Sequence, residues 1–568
     1  MNRRSSILKH IAALMMVLTM ALSVSMVSAQ SNPVQDGTIK IPRTVKDETV
    51  LPSPEAAKMG TLPENTVSYN RGVVNISRQL LTLQSGTLAM PVSISYNTQG
   101  IKVDDDNCLV GLGWTLDCGG SITRTIKGRP DELREFQLKS VSQIEADNNV
   151  AYLKDVMRGA IDADYDRYNY SVGGYSGSFI ITDGSIVQLP KTDLTIELTG
   201  EEREGVRDFK ITTPNGEQYW FTAREHTDYH YSPATATANT SYISPDYSAV
   251  SGWHLTKALS ANRSDSIMLE YATSRHVRVD ITDNLYSASM SYDGHSYSFG
   301  NSHSGISSTA TTGYPDKRIP KTITGRGFTL DISTDSISHY RRISQMTLRN
   351  VEGDVVKQVK FNASIFNDGR IRFDSYSIES DGKKTDGASF GYNITPATRL
   401  CKDFFGYNNH AYGTSYPYES ILNGNLTPSQ ARAYNFDSAK AGLLTSITDF
   451  TGATTTFTYE PSQAISGGHL VHIGVRIKKI SINGRNYVRE FAYEDAATTI
   501  NFGSLSTNDF LSTSGSRWGT LTSSGYSTGT SYTASCRKPG NVEGATIYYG
   551  KVTETISGTA INNPIKTV

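Results

Sequence analysis

Phe209-Lys-Ile-Thr-Thr-Pro-Asn-Gly-Glu-Gln-Tyr-Trp-Phe221 sets two β-type runs on either side of an Asn-Gly pair. Asn-Gly and Asp-Gly suit the type I′ turn of a tight hairpin, because both central residues of that turn have positive φ. Ser178-Phe-Ile-Ile-Thr-Asp-Gly-Ser-Ile-Val-Gln-Leu189 repeats the arrangement with an Asp-Gly pair. The two stretches therefore predict antiparallel hairpins.

The same turn pairs recur along the chain. Beyond residue 64, Asp-Gly pairs begin at Asp183, Asp293, Asp368, Asp381 and Asp386, and Asn-Gly pairs begin at Asn215, Asn423 and Asn483. Runs of β-branched and aromatic residues flank several of them. We therefore predict a mainly β protein of antiparallel hairpins in stacked sheets, sandwich- or shell-like.

One short helix is predicted near 142–159, where the spacing of the apolar residues becomes that of a helix. Apolar residues recur there at three-to-four-residue spacing, which is typical of one helix face: Val150, Leu153, Val156, Met157 and Ile161. Ser142 and Glu145 fit a capping box, and Gly159 is a candidate for its end.

Composition limits the function classes. The chain has 568 residues, with 54 Lys+Arg against 55 Asp+Glu and a formal net charge of −1. This balance argues against a protein that binds nucleic acid through bulk positive charge. With 37% hydrophobic and 19% charged residues, the chain also lacks the composition of a disordered protein.

Residues 1–29 are typical of a secretory signal peptide. Arg3, Arg4 and Lys9 precede the apolar run 11–27, and Val27-Ser-Ala29 suits cleavage before Gln30. An uncleaved membrane anchor is the alternative. No later apolar run is long enough to span a membrane, so we expect a secreted protein in the periplasm, at the cell surface or outside the cell. Residues 30–64 are proline-rich and predict an extended leader.

The rest of the chain is predicted to divide near residues 260 and 400. We predict β domains over 65–260 and 261–400 and a β-hairpin region over 401–568. Three low-complexity stretches are predicted to be exposed loops: Ser232–Ser248, Gly300–Gly313 and Ser504–Gly540.

No catalytic residue is predicted. Gly525-Tyr-Ser-Thr-Gly529 matches the nucleophile-elbow string, but its flanks are Ser/Thr-rich and no histidine follows His472. His469 and His472 are interpreted as surface residues.

No metal site or cofactor is predicted either. His226-Thr-Asp-Tyr-His230 carries two imidazoles, fewer than the ligands zinc needs, and is interpreted as a solvated turn. Asp162-Ala-Asp-Tyr-Asp166 resembles the start of a calcium loop. The positions that need Gly and Glu hold Arg167 and Gly173, which leaves an irregular calcium site as the alternative.

Several segments, taken in order, resemble the N-terminal region of large secreted bacterial RHS/YD-repeat proteins. Val110-Gly-Leu-Gly-Trp-Thr-Leu-Asp-Cys-Gly-Gly-Ser-Ile-Thr-Arg124 is the longest of them. The others are Ser93–Val103, Pro130–Glu132, Ser251–Lys257, Asp403–Asn408, Gly442–Glu460, Gly474–Ile480 and Tyr549–Glu554. The Gly442–Glu460 segment is similar to a degenerate YD unit, which makes 401–568 a YD-like region, expected to be incomplete.

The resemblance implies a structural role. Members of the family build a hollow β shell, often around a C-terminal toxin, and are not known for catalysis in this part. Gly111, Gly113, Gly119 and Gly120 are then a structural motif that allows tight turns around a buried Trp114. Relatives continue far beyond this length, so the chain is interpreted as truncated, a fragment, or half of a split pair. The expected partner is a downstream RHS or toxin segment, or a cell-surface ligand.

Cys108 and Cys118 form a candidate disulfide, because they bracket the Gly-Leu-Gly-Trp turn of a chain sent to an oxidising compartment. Trp114 and Cys118 are an even number of residues apart, so in a strand both side chains point to the same face, and Cys118 should face the apolar side. The resemblance adds that related chains usually carry other residues at both positions. Two separately buried thiols are the alternative, and Cys401 with Cys536 is the remaining pair.

The leading interpretation is therefore a secreted structural or interaction protein without catalysis of its own. A surface adhesin or glycan-binding module is the alternative, because exposed Tyr and Trp rings can stack on sugars. A secreted hydrolase is the third and less favoured interpretation.

Overall fold

The computed structural model describes residues 65–567 with gaps at 98, 104, 106–107, 128, 135–137, 147–149, 158–160, 233–246, 293–296, 301–305, 339, 398–401, 410–432, 484–486, 500–510, 523–524, 538–545 and 559–564. The signal peptide, the leader, the predicted helix end at Gly159, Cys401 and two of the turn pairs, at Asp293 and Asn423, lie outside the described residues. By internal contacts the chain divides into residues 1–62 and a unit of Pro63–Val568.

The fold is mainly β, as the sequence predicts. A first sheet is a four-stranded antiparallel meander of β1 (Asn65–Ser68), β2 (Val73–Ser85), β3 (Leu88–Asn97) and β4 (Trp114–Cys118). Its buried residues alternate along β3, where Leu88, Met90 and Val92 face the core.

The remaining strands form a long antiparallel network. Its first part consists of β5 (Gly120–Thr125), β6 (Arg167–Val172), β7 (Tyr175–Thr182), β8 (Ser185–Leu189), β9 (Thr195–Arg203), β10 (Val206–Thr212), β11 (Gln218–Ser232), β12 (Tyr247–Leu259), β13 (Ser266–Tyr292), β14 (Tyr297–Gly300) and β15 (Ile306–Gly325). Besides its neighbours in sequence, β11 pairs with β15, and β12 pairs with β5.

The second part continues mostly as sequential hairpins. It consists of β16 (Phe328–Ile337), β17 (Tyr340–Arg349), β18 (Val355–Ile365), β19 (Ile371–Ser380), β20 (Lys383–Tyr392), β21 (Leu444–Asp449), β22 (Thr454–Ser466), β23 (His469–Ile482), β24 (Tyr487–Thr498), β25 (Leu511–Thr522), β26 (Gly525–Arg537), β27 (Ile547–Ser557) and β28 (Ile565–Thr567). Two pairings reach further along the chain: β24 with β27, and β13 with β26.

Two of the hairpin turns have the predicted type I′ chemistry, whereas at Asn215-Gly216 and Asp368-Gly369 only the glycine has a positive φ, so those turns are of another type. Asp183 and Asp381 have φ of 48° and 51°, and the glycines after them are also positive, as a type I′ turn requires. Phe209 pairs with Phe221, and Ser178 with Leu189, which confirms both quoted hairpins. Asp386, however, lies within β20 opposite Ile378, so its Asp-Gly pair is part of a strand and the prediction of a turn is wrong.

Two of the predicted loops are also wrong in part. Residues 306–313 belong to β15, and 511–522 and 525–537 form the paired strands β25 and β26. Their Ser- and Thr-rich runs are compatible with paired backbone. The Gly525–Gly529 string therefore begins a strand, whereas a nucleophile elbow requires a turn from strand into helix. The third predicted loop, 232–248, falls mostly outside the described residues.

The predicted helix near 142–159 is two shorter helices, α1 (Val141–Ala146) and α2 (Val150–Met157). The cap is also displaced from the predicted Ser142 and Glu145. The Gln143 N–H donates to Ser140 Oγ at 3.3 Å, and the Ser140 N–H donates to Gln143 Oε1 at 2.8 Å. The box thus starts two residues earlier, with Gln in place of Glu. A 3-10 turn (Asp131–Leu133) and α3 (Phe436–Ala439) complete the described helices.

One hydrophobic core includes residues from both sheets, from Val67 to Val552. Strand pairing crosses residue 260 between β12 and β13 and links β20 to β21 across residue 400. The domain boundaries predicted there stay predictions. Among the described residues, no helix has the length and apolar character needed to cross a membrane.

Candidate functional site

The glycine motif joins the two sheets. Strand β4 ends at Cys118 and β5 begins at Gly120, so Gly119 alone separates the first sheet from the network. Gly119 and Gly120 have φ of 95° and 147°, a region that side chains disfavour. A Cβ on Gly119 would lie 2.7 Å from Leu269 Cδ2, and one on Gly120 would lie 2.5 Å from the Ser171 carbonyl oxygen. Both positions therefore need glycine.

Trp114 begins β4, at the opposite end of the strand from Gly119. Its ring is fully buried, and its centroid lies 4.6 Å from that of Phe390, 5.3 Å from Tyr96 and 5.4 Å from Phe373. The indole N–H donates to Tyr392 Oη at 2.8 Å, and that hydroxyl donates to the Phe373 carbonyl at 2.7 Å. The buried ring expected from the sequence is thus present, with its polar atom satisfied.

The other two motif glycines lie in the turn before β4. A Cβ on Gly111 would meet Phe373 Cβ at 2.9 Å, and one on Gly113 would meet Tyr96 Cε2 at 2.8 Å. The Leu112 N–H between them donates to the Ile371 carbonyl at 2.9 Å. All four glycines therefore lie where the chain packs closely against neighbouring residues.

Segments that are distant in sequence meet near this region. Asp403 is buried, and its Oδ1 accepts the N–H groups of Phe405 and Tyr407 at 2.8 and 2.9 Å. The Val103 N–H donates to the Gly406 carbonyl at 3.0 Å. A Cβ on Gly474 would lie 2.7 Å from Tyr407 Cζ. Three of the segments behind the family resemblance therefore pack on one another.

A clamp between the two ends of the described chain was not predicted. The Tyr69 hydroxyl donates to Glu554 Oε2 at 2.6 Å, and Arg489 pairs with the other oxygen of that carboxylate. The Tyr549 N–H donates to the Asn70 carbonyl at 2.8 Å, and the Ile477 N–H donates to Gly72 at 2.8 Å. Tyr69 and Glu554 are 485 residues apart, and no local sequence signal marks such a pair.

Two of the aspartates considered for calcium, Asp162 and Asp166, have protein partners. Asp166 is buried, and its Oδ2 accepts Arg124 Nε at 2.8 Å. Arg124 also pairs with Glu132, and Asp162 accepts the Arg129 N–H at 2.8 Å. Burial, and then the charge of Asp166, raises the pKa of Asp131 to about 6. Among the residues with described positions, no group of three or more His, Cys, Asp or Glu is placed to hold a metal ion.

A cleft of about 480 Å³ lies beside the joint. Strands β3 and β4 and the Gly173–Gly174 turn line it together with β11, β12, β13 and β15. Cys108 and Cys118 both line it, but Cys118 carries a free thiol, so no bond joins the two. Cys118 packs on the core from β4, whereas Cys108 is exposed in the preceding loop. Their pairing after oxidation stays a prediction.

Two ionisable groups of the cleft, Glu225 and Cys118, have shifted pKa values. Glu225 Oε2 contacts His254 Nε2 at 3.3 Å and accepts the Arg318 N–H at 2.9 Å. Burial opposes ionisation, but these hydrogen bonds and the nearby Lys317 charge hold the pKa of Glu225 below its ordinary range. Burial raises the pKa of Cys118 to about 12, with the Asp117 charge adding to the effect. A thiol with such a pKa is not an activated nucleophile.

The histidines singled out in the sequence lie in strands. His226 and His230 belong to β11, which corrects the prediction of a solvated turn. Both ring nitrogens of His226 contact carboxylates, Asp316 through Nδ1 at 2.8 Å and Glu204 through Nε2 at 2.7 Å. His472 is half-buried and stacks on Tyr434 with ring centroids 4.8 Å apart. Its burial lowers its pKa.

No protein-family model matches the chain, and no curated protein matches it. Among the solved structures that match, the N-terminal domain of effector protein SpvB from Salmonella typhimurium is 10% identical, covering 54% of this chain and 98% of that chain at a TM-score of 0.25. The Tc holotoxin pore of Photorhabdus luminescens is 11% identical, covering 73% and 19% at a TM-score of 0.32. A porin-like protein from Bacteroides uniformis is 11% identical, covering 57% and 94% at a TM-score of 0.15.

Two of these three structures are parts of an effector protein and of a holotoxin. TM-scores of this size do not establish a shared fold. The function is therefore inferred from the chain's own contacts.

Proposed function

We propose that this chain is a secreted, non-catalytic structural protein that contributes the N-terminal part of an RHS-like β shell. Its partner in this role is a downstream RHS or toxin segment. The proposal rests on the way the segments behind the resemblance are used. In the described residues, these segments hold β-sheets together through close packing and hydrogen bonds.

The clamp at Glu554 is the observation that carries this proposal. Tyr69 lies between β1 and β2, whereas Glu554 lies in β27, so the first sheet is held by strands from the far end of the chain. Glu554 is only 2% exposed, and both of its oxygens are engaged by protein donors. A continuous wall needs long-range ties of this kind, because its strands otherwise contact only their neighbours.

The cleft supports the same proposal through two of its ionisable groups. Glu225 is held by His254 and the Arg318 N–H, and the Cys118 thiol has a pKa of about 12. Neither group is prepared for nucleophilic or acid–base chemistry near neutral pH.

The glycan-binding alternative receives less support from the described tryptophans. Trp114 and Trp253 are fully buried, and Trp220 is half-buried with the Lys257 ammonium 5.2 Å from its ring centroid. Sugar stacking needs an accessible ring face. A glycan array probed with the secreted chain is expected to show no saturable binding. A specific signal lost on Trp220→Ala would favour the adhesin instead.

Co-purification tests the proposed role directly. The coding sequence beyond Val568, in any frame, is read for YD-type repeats, and the encoded segment is co-expressed with the full chain. We expect the two to elute together from a sizing column and to protect each other from protease. Absence of such repeats, or separate elution of two folded proteins, would contradict the proposal.

A further inference from the structure

We infer that His226 is a pH-sensitive latch that holds the tip of the β9–β10 hairpin against β11 and β15. Its imidazole lies between two carboxylates from different elements. Glu204 belongs to the turn between β9 and β10, and Asp316 belongs to β15. Protonated His226 closes the latch, and neutral His226 releases one of the two contacts.

The geometry favours the charged imidazole. Nδ1 lies 2.8 Å from Asp316 Oδ2, and Nε2 lies 2.7 Å from Glu204 Oε2. A neutral imidazole has one N–H, so it can donate to only one of these oxygens and must turn a lone pair toward the other. The imidazolium donates to both. The pair of distances therefore depends on the proton.

The backbone makes the hairpin tip dependent on side chains. Pairing between β10 and β11 covers Phe209–Thr212 and ends there. Pairing between β11 and β15 starts at Asp228. His226 lies between the two registers, and its own N–H donates to Asp316 Oδ1 at 2.8 Å. The latch thus fills a gap in the backbone pairing along this edge of β11, while the other edge is paired with β12, where His226 lies opposite Val250.

A second tie, through Arg224, also holds the hairpin tip. Arg224 Nε donates to Asp208 Oδ1 at 2.7 Å, and its other nitrogens donate to the carbonyls of Arg203 and Val206 at 2.9 and 3.2 Å. Arginine stays protonated at every relevant pH. Loss of the His226 contacts should therefore loosen the tip without detaching it.

Of the other charged groups nearby, the Arg318 guanidinium opposes a second positive charge on His226, but the two carboxylates outweigh it. Arg318 Nη2 donates to Asp316 at 3.2 Å, which leaves that carboxylate shared between Arg318 and His226. Arg203 lies 3.4 Å from Asp208, itself paired with Arg224. Burial of His226 opposes its charge, but the hydrogen bonds to Glu204 and Asp316 raise its pKa above the ordinary value. The latch is thus complete below about pH 6.5 and is lost as the pH rises through the raised pKa.

Hydrogen exchange of the full-length secreted chain tests the latch. Mass spectrometry follows the peptides that cover 200–208 from about pH 5 to about pH 9, a window that brackets the ordinary histidine pKa of about 6.5. After correction for intrinsic exchange, we expect opening of the tip to increase roughly tenfold toward high pH, the effect of losing one charge-assisted hydrogen bond. His226→Gln should give the open-state rate at every pH.

Two further variants keep the test decisive. Glu204→Gln changes a side chain that is 61% exposed, so it should fold normally and reduce the pH response. His472→Gln removes another half-buried histidine whose pKa is shifted by burial alone, and should leave the response unchanged. A pH-independent wild type, or a response retained in both His226→Gln and Glu204→Gln, would overturn the inference.

Discussion

Replacement of Trp114 by alanine should be among the most destabilising single changes in this chain. The side chain is completely buried and contacts the rings of Tyr96, Phe373 and Phe390. Its N–H donates to the Tyr392 hydroxyl. The substitution removes all four interactions from the place where the first sheet packs on β19 and β20.

The expected loss of stability follows from the contacts that the substitution removes and the cavity that it leaves. Truncation of a buried Trp to Ala costs about 3–5 kcal/mol when the surroundings cannot collapse. Collapse is hindered here because the Tyr392 hydroxyl is also bound to the Phe373 carbonyl at 2.7 Å. Trp114→Phe keeps most ring contacts and loses the N–H donor, so it should cost about 1–2 kcal/mol.

Urea unfolding of the full chain, followed by far-ultraviolet circular dichroism, measures the difference. Trp220→Ala is the matched control, because this ring is half-buried and covered by Lys257, and its loss should cost about 1 kcal/mol. The reasoning would be refuted if Trp114→Ala cost no more than Trp220→Ala. Efficient acrylamide quenching of Trp114 in the folded protein would refute it equally.

Three further outcomes are expected. Gly119→Ala should destabilise the chain by about 1–3 kcal/mol in the same assay, because the new Cβ would meet Leu269 and the φ of residue 119 is 95°. Gly184→Ala is the control and should cost less, because a Cβ there would meet no atom within 4 Å. The pKa of Asp131 is raised to about 6, so the free energy of unfolding of the wild type should increase as the pH falls from about 6 toward about 4. Asp131→Asn should abolish that increase. An unchanged dependence of stability on pH in the variant would contradict the prediction. In reduced, folded protein an aromatic disulfide reagent should modify exposed Cys108 well before Cys118, whose pKa is about 12, and equal rates would show that Cys118 is accessible.

Local chemistry allowed the hairpins to be predicted. The turn at Asp183-Gly184 needs positive φ at two successive residues, which few other dipeptides tolerate, so the pair marks the turn wherever it sits between β-type runs. The pair at Asp386 shows the limit of this signal. Its flanks paired with β19 and kept the backbone extended, and pairing outweighs a local turn preference of this size.

The candidate functional groups were predicted only in part. Trp114 and its glycines stood out because a bulky ring among residues without side chains predicts close packing. His226 was identified as a residue of interest, but its partners Glu204 and Asp316 were not. They lie 22 residues before it and 90 residues after it, and each resembles any other surface carboxylate in sequence.

By itself the sequence determined the β class, the places of many turns and the burial of Trp114, because each depends on φ preferences or polarity within a few residues. Only the tertiary structure decided that β5 pairs with β12, that Gly119 joins two sheets, and that Glu554 clamps Tyr69. The physical reason is that strand edges offer the same N–H and C=O groups whatever their sequence. The choice of partner therefore depends on how all the strands pack together around one core.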